Sequence, residues 1–504
     1  MENEATKMIE LDWLQQWAHI SPQAPALTEG ETGLQLNYAE LYQQACTGAH
    51  YLKSQFHIQA GDRVVLLSTN EVTSYVLYFA LVRLGATLVP INFRLTPREL
   101  TYVINDASPA LLIYEETFAE AIAAVQSEVK IAALEIFSQF KRSLNISKPF
   151  RNFQSNWKTT ALIIYTSGTT GFPKGAMITH EGLFWNSVNT TLRLNISQSD
   201  SAVIFLPLFH TGGWNVLSTP FFHRGAHIIL TKKFDADQIL QLSQKYSCTL
   251  LFGVPTTMRM MSQSEAFLPA DFSKIRYAIV GGEPMPLEEI RTWQNKNIPV
   301  RQGYGLTEFG PNVFSLNEDD SVRKMGSIGF PNFYVQVKVV NERGEECAAN
   351  EVGELWLKGP MAMAGYWNNS AATEDTFTDG WLKTGDLVFF DSEKYFFVVG
   401  RKKDMYKSGG ENVYPAEVEK TILEISWVKE VAVIGAQDSQ WGEVGHAYVV
   451  PKDPLLFDQK QLTDYCSLNL AKFKIPKFFT AMADLPKGDS GKILKRKIPA
   501  SVLI

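Results

Sequence analysis

The sequence predicts an α/β protein: a large N-terminal domain of layered α/β sheets with a small β-rich subdomain, followed by a small α+β domain. Three observations predict it. Over the first two thirds of the chain, helical apolar patterns alternate with short β-branched runs, the pattern of sheets covered by helices. Near Gly326 the pattern changes to alternation around turn residues. Past Gly400 a charged, glycine-flanked stretch opens a segment of about 100 residues, near the commonest domain size.

The elements follow in order. Ala161–Ile164 is a short apolar run that reads as a strand. Arg224-Gly225-Ala226 reads as a turn into a strand at His227–Leu230. Ala236–Lys245 carries Ile239, Leu240 and Leu242 at helical spacing. Thr249–Val254 and Arg276–Val280 are buried-strand runs, the second closed by Gly281-Gly282. Tyr334–Val340 alternates, Asn341-Glu342-Arg343-Gly344 turns, and Glu354–Lys358 returns, which predicts an antiparallel hairpin. The charged stretch Gly400-Arg401-Lys402-Lys403-Asp404 sets the domain boundary, giving residues 1–400, with the β-rich part at about 326–400, and residues 401–504. Within the last segment, Pro415–Leu423 and Gln459–Leu470 read as helices, and Glu430–Gly435 and Gly445–Val450 as strands.

Composition narrows the function. The 504 residues are 45 % hydrophobic and 20 % charged, ordinary for a globular protein able to bury a sizeable core. Net charge is −6, which argues against a nucleic-acid partner. Residues 401–504 hold 16 basic and 13 acidic side chains, a local +3 that suits a small polyanion or an ordinary solvated surface. Cys46, Cys248, Cys347 and Cys466 are too far apart for a C-x-x-C zinc site or a disulfide framework. The acidic start Met1-Glu2-Asn3-Glu4 has no apolar signal core, and no uncharged apolar run reaches the ~18 residues of a membrane span. The expectation is a cytoplasmic protein, with peripheral membrane contact left open by the apolar tail 498–504.

Four segments carry candidate chemistry. Thr166-Ser167-Gly168-Thr169-Thr170-Gly171-Phe172-Pro173-Lys174 follows the strand-like Ala161–Ile164. Its glycines let backbone N–H groups approach oxyanions, its hydroxyls add donors, and its lysine neutralises charge. The glycine spacing is not that of a Walker A loop; a plain surface loop is the alternative. Gly303-Tyr304-Gly305-Leu306-Thr307-Glu308 lacks the third glycine of a dinucleotide fingerprint. It can offer a hydroxyl to a phosphate and a carboxylate to Mg²⁺. Asp386 and Arg401 end neighbouring strand-like segments, where they can grip a diol or form a salt bridge. Lys492 closes the small-residue loop Gly488-Asp489-Ser490-Gly491, which suits a cation aimed at developing negative charge. His223 and His227 are four residues apart but have no third metal ligand, and a turn separates them.

Taken together, these segments resemble the adenylate-forming superfamily of acyl-CoA synthetases, luciferases and nonribosomal adenylation domains. The resemblance runs from Ala60-Gly61-Asp62-Arg63-Val64 to Lys492 in the family's order. It implies conversion of a carboxylate and MgATP to acyl-adenylate and pyrophosphate, then transfer of the acyl group to a thiol. It implies that Thr166, Ser167, Gly168, Thr169, Thr170, Gly171 and Lys174 hold the β- and γ-phosphates. Gly281, Gly282 and Glu283, with Gly303, Tyr304 and Gly305, match the adenine-binding walls, Tyr304 stacking on the base. Thr307 matches the α-phosphate contact and Glu308 the Mg²⁺ carboxylate. Asp386, assisted by Arg401, matches the ribose-diol ligand. Lys492 matches the lysine bridging carboxylate and α-phosphate. Lys403 matches a hinge about which a mobile C-terminal domain turns, exchanging Lys492 for the segment containing Gly409 and Gly410. His210 matches an aromatic gate, and Arg94, Trp441, Phe473 and Lys477 match positions near the CoA nucleotide. Ile475 departs from the pattern, since some CoA ligases have an arginine there.

Amino-acid-activating members place an aspartate shortly after the gate. Here the stretch is Thr211-Gly212-Gly213-Trp214-Asn215-Val216, without a carboxylate. The expectation is therefore an AMP-forming fatty-acid–CoA ligase acting on a medium- or long-chain acid, with ATP, Mg²⁺ and coenzyme A. Aryl- or o-succinylbenzoate-CoA ligation, loading of an acyl-carrier protein, and a non-catalytic binding member are the alternatives. Monomer and homodimer both remain open.

Overall fold

The computed structural model describes residues 11–126, 131–145, 149–150, 152–166, 173–408, 411–488 and 493–498. The chain divides into two compact units, Met1–Val337 with Leu357–Leu382, and Lys338–Trp356 with Lys383–Ile504.

The first unit is layered α/β. A six-stranded sheet runs in the order Leu134–Ile136, Leu111–Tyr114, Arg63–Leu67, Thr87–Pro90, Thr160–Thr166, Lys174–Thr179. Its strands are parallel apart from the last, which returns antiparallel as a hairpin. A four-stranded sheet runs Gln35–Asn37, Pro25–Glu29, His227–Leu230, Ser201–Ile204. A third run begins with the parallel strands Leu250–Gly253, Tyr277–Val280 and Val300–Leu306 and turns antiparallel through Gly310–Ser315 and Ser327–Pro331.

The helix Val72–Leu84 shows why the layers hold. All thirteen of its residues are buried, as expected for a helix apolar on every face. Its only charge, Arg83, forms an ion pair with buried Asp12 and donates from Nε to Phe150 O at 3.1 Å. A buried charge without such partners would be strongly destabilising. Gly85, at φ +71°, closes the helix in the left-handed conformation that glycine adopts without steric cost.

In the second unit, Val428–Asp438 and Gly442–Pro451 form a long antiparallel hairpin, Val433 opposite Ala447. Tyr406–Ser408 with Glu411–Val413, and the parallel strand Phe478–Ala481, complete a five-stranded sheet. Val418 and Ile422 from the helix Pro415–Leu423 and Leu462 and Cys466 from Gln459–Asn469 bury their apolar faces in the same core as Val433 and Val449. The same unit contains the turn expected at Asn341–Gly344, closed by Asn341 N–H to Glu345 O at 2.9 Å. All four cysteines are buried and none forms a disulfide. No helix among the described residues is long and apolar enough to cross a membrane.

Candidate active site

In the first unit the candidate residues collect at the carboxyl ends of parallel strands, where open α/β sheets bind ligands. Tyr277–Val280 ends at Gly281 and lies beside Val300–Leu306, with Val280 opposite Gln302. Gly281 and Gly303 are consequently adjacent: a Cβ on Gly281 would stand 3.6 Å from Gly303 O, with no other atom within 4 Å among the described residues, its chain neighbours aside. Gly282 follows at φ +88°, and Glu283 continues the loop. Gly281 and Gly282 thus leave a stretch of backbone without side chains of its own, bordered by Val254 Cγ1 at 3.7 Å from the Gly282 Cβ position, the form a planar ring needs if it is to lie against backbone.

Beyond Gly303 the strand bulges at Gly305 and reverses through Thr307-Glu308-Phe309 into Gly310–Ser315. Gly305 tolerates no side chain, because its Cβ would fall 2.2 Å from the backbone of Pro311. Tyr304 lies opposite Phe314, their rings edge-to-face at 5.8 Å. Phe309 is fully buried and anchors the tip, while Thr307 is 8 % exposed.

The strands Thr160–Thr166 and Lys174–Thr179 pair with Thr166 opposite Lys174. This brings together both ends of the candidate phosphate loop; Ser167, Gly168, Thr169, Thr170 and Gly171 lie outside the described residues. Thr166 Oγ1 is 3.4 Å from Glu308 Oε1, joining the loop's base to the hairpin tip. Tyr366 was not singled out by the sequence reading, yet it completes this cluster. Its hydroxyl donates to Glu308 Oε1 at 2.9 Å, and its ring lies under Lys174 Nζ, 5.1 Å from ammonium to centroid. The segment is laid in place by backbone bonds from Met177 N to Gly365 O, Trp367 N to Gly175 O and Met363 N to Glu308 O, at 2.8–2.9 Å. The signal in the sequence was Gly365-Tyr366-Trp367, a glycine before two aromatics, with no charge to mark it.

His210 stands at the start of an irregular segment, with a π-helical turn over Gly212–Val216. Such turns recur at functional sites. Gly212 N–H donates to His210 Nδ1 at 3.0 Å, so the neutral ring carries its proton on Nε2. The ring is exposed to solvent, yet the protein packed around it lowers the imidazole's pKa and favours that neutral form. Phe209 meets Phe93 edge-to-face at 5.4 Å, and the Arg94 guanidinium lies 6.0 Å from the Phe209 ring. Arg94 thereby flanks the segment that leads into His210.

In the second unit, Asp386 and Arg401 are partners across adjacent strands, Oδ1 to Nε at 2.6 Å. Lys403 is exposed in the turn that follows, where Asp404 N–H reaches back to Arg401 O at 3.0 Å. Trp441 is 44 % exposed beside Asp438, whose Oδ1 accepts from Trp441 N at 2.9 Å. Lys477 bonds the same carboxylate at 2.5 Å and, with two backbone N–H donors, holds its pKa down to about 2. Lys477 and Trp441 are thus brought together around Asp438, whereas Phe473 packs against the domain core. Gly409, Gly410 and Lys492 lie outside the described residues; Lys487, paired with Ile493, marks the base of the lysine's loop.

His223 Nδ1 pairs with Ser187 Oγ, and His227 Nε2 with Thr28 Oγ1, each at 2.8 Å. Among the described residues no group of three or more His, Cys, Asp and Glu side chains could hold a metal ion.

Comparison with known proteins agrees with this architecture. The family model of AMP-binding enzymes matches residues 14–367, and that of the AMP-binding enzyme C-terminal domain matches residues 417–492. A feruloyl-CoA synthase of Amycolatopsis sp is 36 % identical over 488 residues, covering 96 % of this chain and 97 % of that one. A long-chain-fatty-acid–CoA ligase of Mycobacterium tuberculosis is 35 % identical over 501 residues, covering 97 % of each. The structure of o-succinylbenzoate CoA synthetase from Bacillus subtilis with its acyl-adenylate intermediate superposes with a TM-score of 0.88 at 31 % identity, covering 96 % of this chain and 97 % of that one.

Fold and matched domains define an adenylate-forming enzyme. The chain belongs to the AMP-binding enzyme family and is an AMP-forming acid–thiol ligase of the acyl-CoA ligase class. Enzymes of this class use ATP, Mg²⁺ and coenzyme A. Glu308 suits the metal: Tyr366 and Thr166 occupy Oε1, and among the described residues nothing bonds Oε2. One free carboxylate oxygen is what Mg²⁺ needs when substrate phosphates and water supply most of its ligands.

Proposed function

We propose that the acid activated is a medium- or long-chain fatty acid and that its adenylate is passed to CoA. The observation that carries this reading is the gate-adjacent stretch Thr211–Val216. It has two successive glycines and neither a carboxylate nor a cation, so it offers nothing to hold an α-amino group or a second acid. An aromatic acid is the second reading, favoured by the feruloyl-CoA relative at the same level of identity as the fatty-acid ligase.

The residue roles are those the family resemblance implies, and the chemistry gives each a reason. A carboxylate is a poor electrophile, and its attack on the α-phosphorus joins two anions, so charge neutralisation and positioning carry the first step. Thr166 and Lys174 hold the terminal phosphates, Thr307 the α-phosphate, and the Gly281–Glu283 and Gly303–Gly305 segments the adenine. Asp386 with Arg401 holds the ribose. Mg²⁺ bound by Glu308 would neutralise phosphate charge. Lys492 supplies the cation between carboxylate and α-phosphate. His210 gates the acyl and pantetheine paths, and Trp441 and Lys477 face the CoA nucleotide, with Phe473 backing them from the core. Lys403 is the hinge at which the adenylating arrangement gives way to the thioester-forming one.

ATP–pyrophosphate exchange over C8–C18 fatty acids, aromatic acids and amino acids, repeated with CoA and thioester detection, tests the proposal. Exchange with fatty acids and CoA-dependent thioester is the expected result. Preference for ring acids moves the assignment to the second reading, and exchange without thioester points to a carrier-protein acceptor.

A further inference from the structure

Lys174 and Glu308 are opposite charges on neighbouring segments, and a lysine and a glutamate so placed would ordinarily neutralise each other. Among the described residues they form no ion pair; Tyr366 binds both. Its hydroxyl donates to Glu308 Oε1 at 2.9 Å while the negative face of its ring receives the Lys174 ammonium at 5.1 Å. The geometry points to Tyr366 as a positioning residue that keeps these two charges apart and separately aimed, the carboxylate for the metal and the ammonium for the terminal phosphates of ATP. The inference rests on the assignment of Glu308 and Lys174 made above.

Three features support it. The tyrosine is half-buried, and its backbone neighbours are pinned by strand-like bonds to Gly175 and Met177, so the ring has little freedom to leave. It engages Oε1, the same oxygen that Thr166 approaches, leaving Oε2 open. The contacts to Glu308 and Lys174 use different parts of the side chain, so substitution can separate them.

The experiment measures equilibrium binding of ATP by calorimetry, with Mg²⁺ and with EDTA, in the absence of any acid. Tyr366→Phe keeps the ring and removes the hydroxyl. It should lose roughly tenfold of the affinity that Mg²⁺ adds, the usual size for a hydrogen bond to a charged group, with metal-free binding within about twofold of wild type. Tyr366→Leu removes the ring as well and should also weaken metal-free binding. Glu308→Gln should abolish most of the Mg²⁺ gain. An undiminished Mg²⁺ gain in Tyr366→Phe overturns the proposal, as does equal loss of both affinities in that variant. An undiminished gain in Glu308→Gln overturns the metal assignment and the proposal with it, so the two failures are distinct. Thermal melting of each variant reports folding, and if Tyr366→Leu does not fold, Tyr366→Phe decides alone.

Discussion

Asp386 and Arg401 face each other at one rung of an antiparallel pair, with the aspartate almost fully buried and the arginine half-open, 2.6 Å between Oδ1 and Nε. The arginine also donates to Thr384 O at 3.2 Å, and the Thr384 hydroxyl accepts from the Asp386 N–H at 3.0 Å. The pair is therefore set before any ligand arrives. A salt bridge that serves only stability and one that grips a ribose predict different kinetics. Asp386→Asn should raise KM for ATP about 10-fold or more, by loss of charge-assisted bonds to the diol, and should raise it less for 2′-deoxy-ATP. Equal effects on the two nucleotides would assign the pair to stability alone.

Gly305 marks a second dependence on backbone. Its Cβ would lie 2.2 Å from the carbonyl carbon and oxygen of Pro311. Gly305→Ala must push apart the two strands that carry Thr307 and Glu308 at their turn. Overpacking of this kind costs about 1–3 kcal/mol. Pyrophosphate exchange should drop at least roughly tenfold, because misplacement of about an ångström is enough for that. Circular dichroism should show the fold retained, and wild-type exchange rates in a folded variant would show that the hairpin tip is not used.

Much of this was legible in the sequence. The helices Ala236–Lys245 and Pro415–Leu423 and the strand His227–Leu230 have the bounds read from periodicity, because their caps and flanking turn residues are local. Partnership was not legible. Leu27 pairs with Ile228 across about two hundred residues, and a periodic pattern names a buried face without naming what covers it. The same gap hid Tyr366, which is unremarkable until the fold brings it to Glu308. The π-helical turn at Gly212–Val216 was also invisible. It depends on Asn186 Nδ2 donating to Asn215 O at 2.8 Å and Asn312 Nδ2 donating to Asn215 O and Val216 O at 3.3 Å, and those donors come from distant elements.

Three histidines make stability depend on pH. Burial pushes His180, His223 and His227 from the usual 6.5 down to about 4, and buried His180 Nε2 has no hydrogen-bond partner among the described residues. A depressed histidine pKa means that the unfolded chain takes up the proton first. The stability these groups contribute is complete above the unfolded value and is lost as pH falls from 6.5 towards 4. Each adds a slope of about 1.4 kcal/mol per pH unit inside that window. Urea midpoints should be level near neutrality and fall steeply on acidification, and His223→Gln should remove about one proton's share of the slope. A midpoint that stays level to pH 4.5, well within the window, would show that these rings protonate in the folded state.

The two half-reactions make opposite demands on one location, and the proposed roles of Lys492 and Lys403 would separate them. During adenylation the carboxylate and the α-phosphate are both negative, and a cation between them lowers the barrier. During thioester formation the same place must admit a thiol, and a lysine there is an obstruction. Lys492→Ala should therefore depress pyrophosphate exchange at least about 100-fold, the size of losing one electrostatic contact to a transition state, while thioester formation from supplied acyl-AMP stays near wild type. Lys403→Pro acts on the other step. Proline fixes φ near −65°, which removes the backbone rotation that a hinge needs. Exchange should survive in this variant, and CoA-dependent release of acyl-CoA from acyl-AMP should fail. Stopped-flow measurement of each step on the two variants checks both assignments at once. Loss of both half-reactions in Lys492→Ala would remove its proposed role, and an intact second step in Lys403→Pro would move the hinge elsewhere.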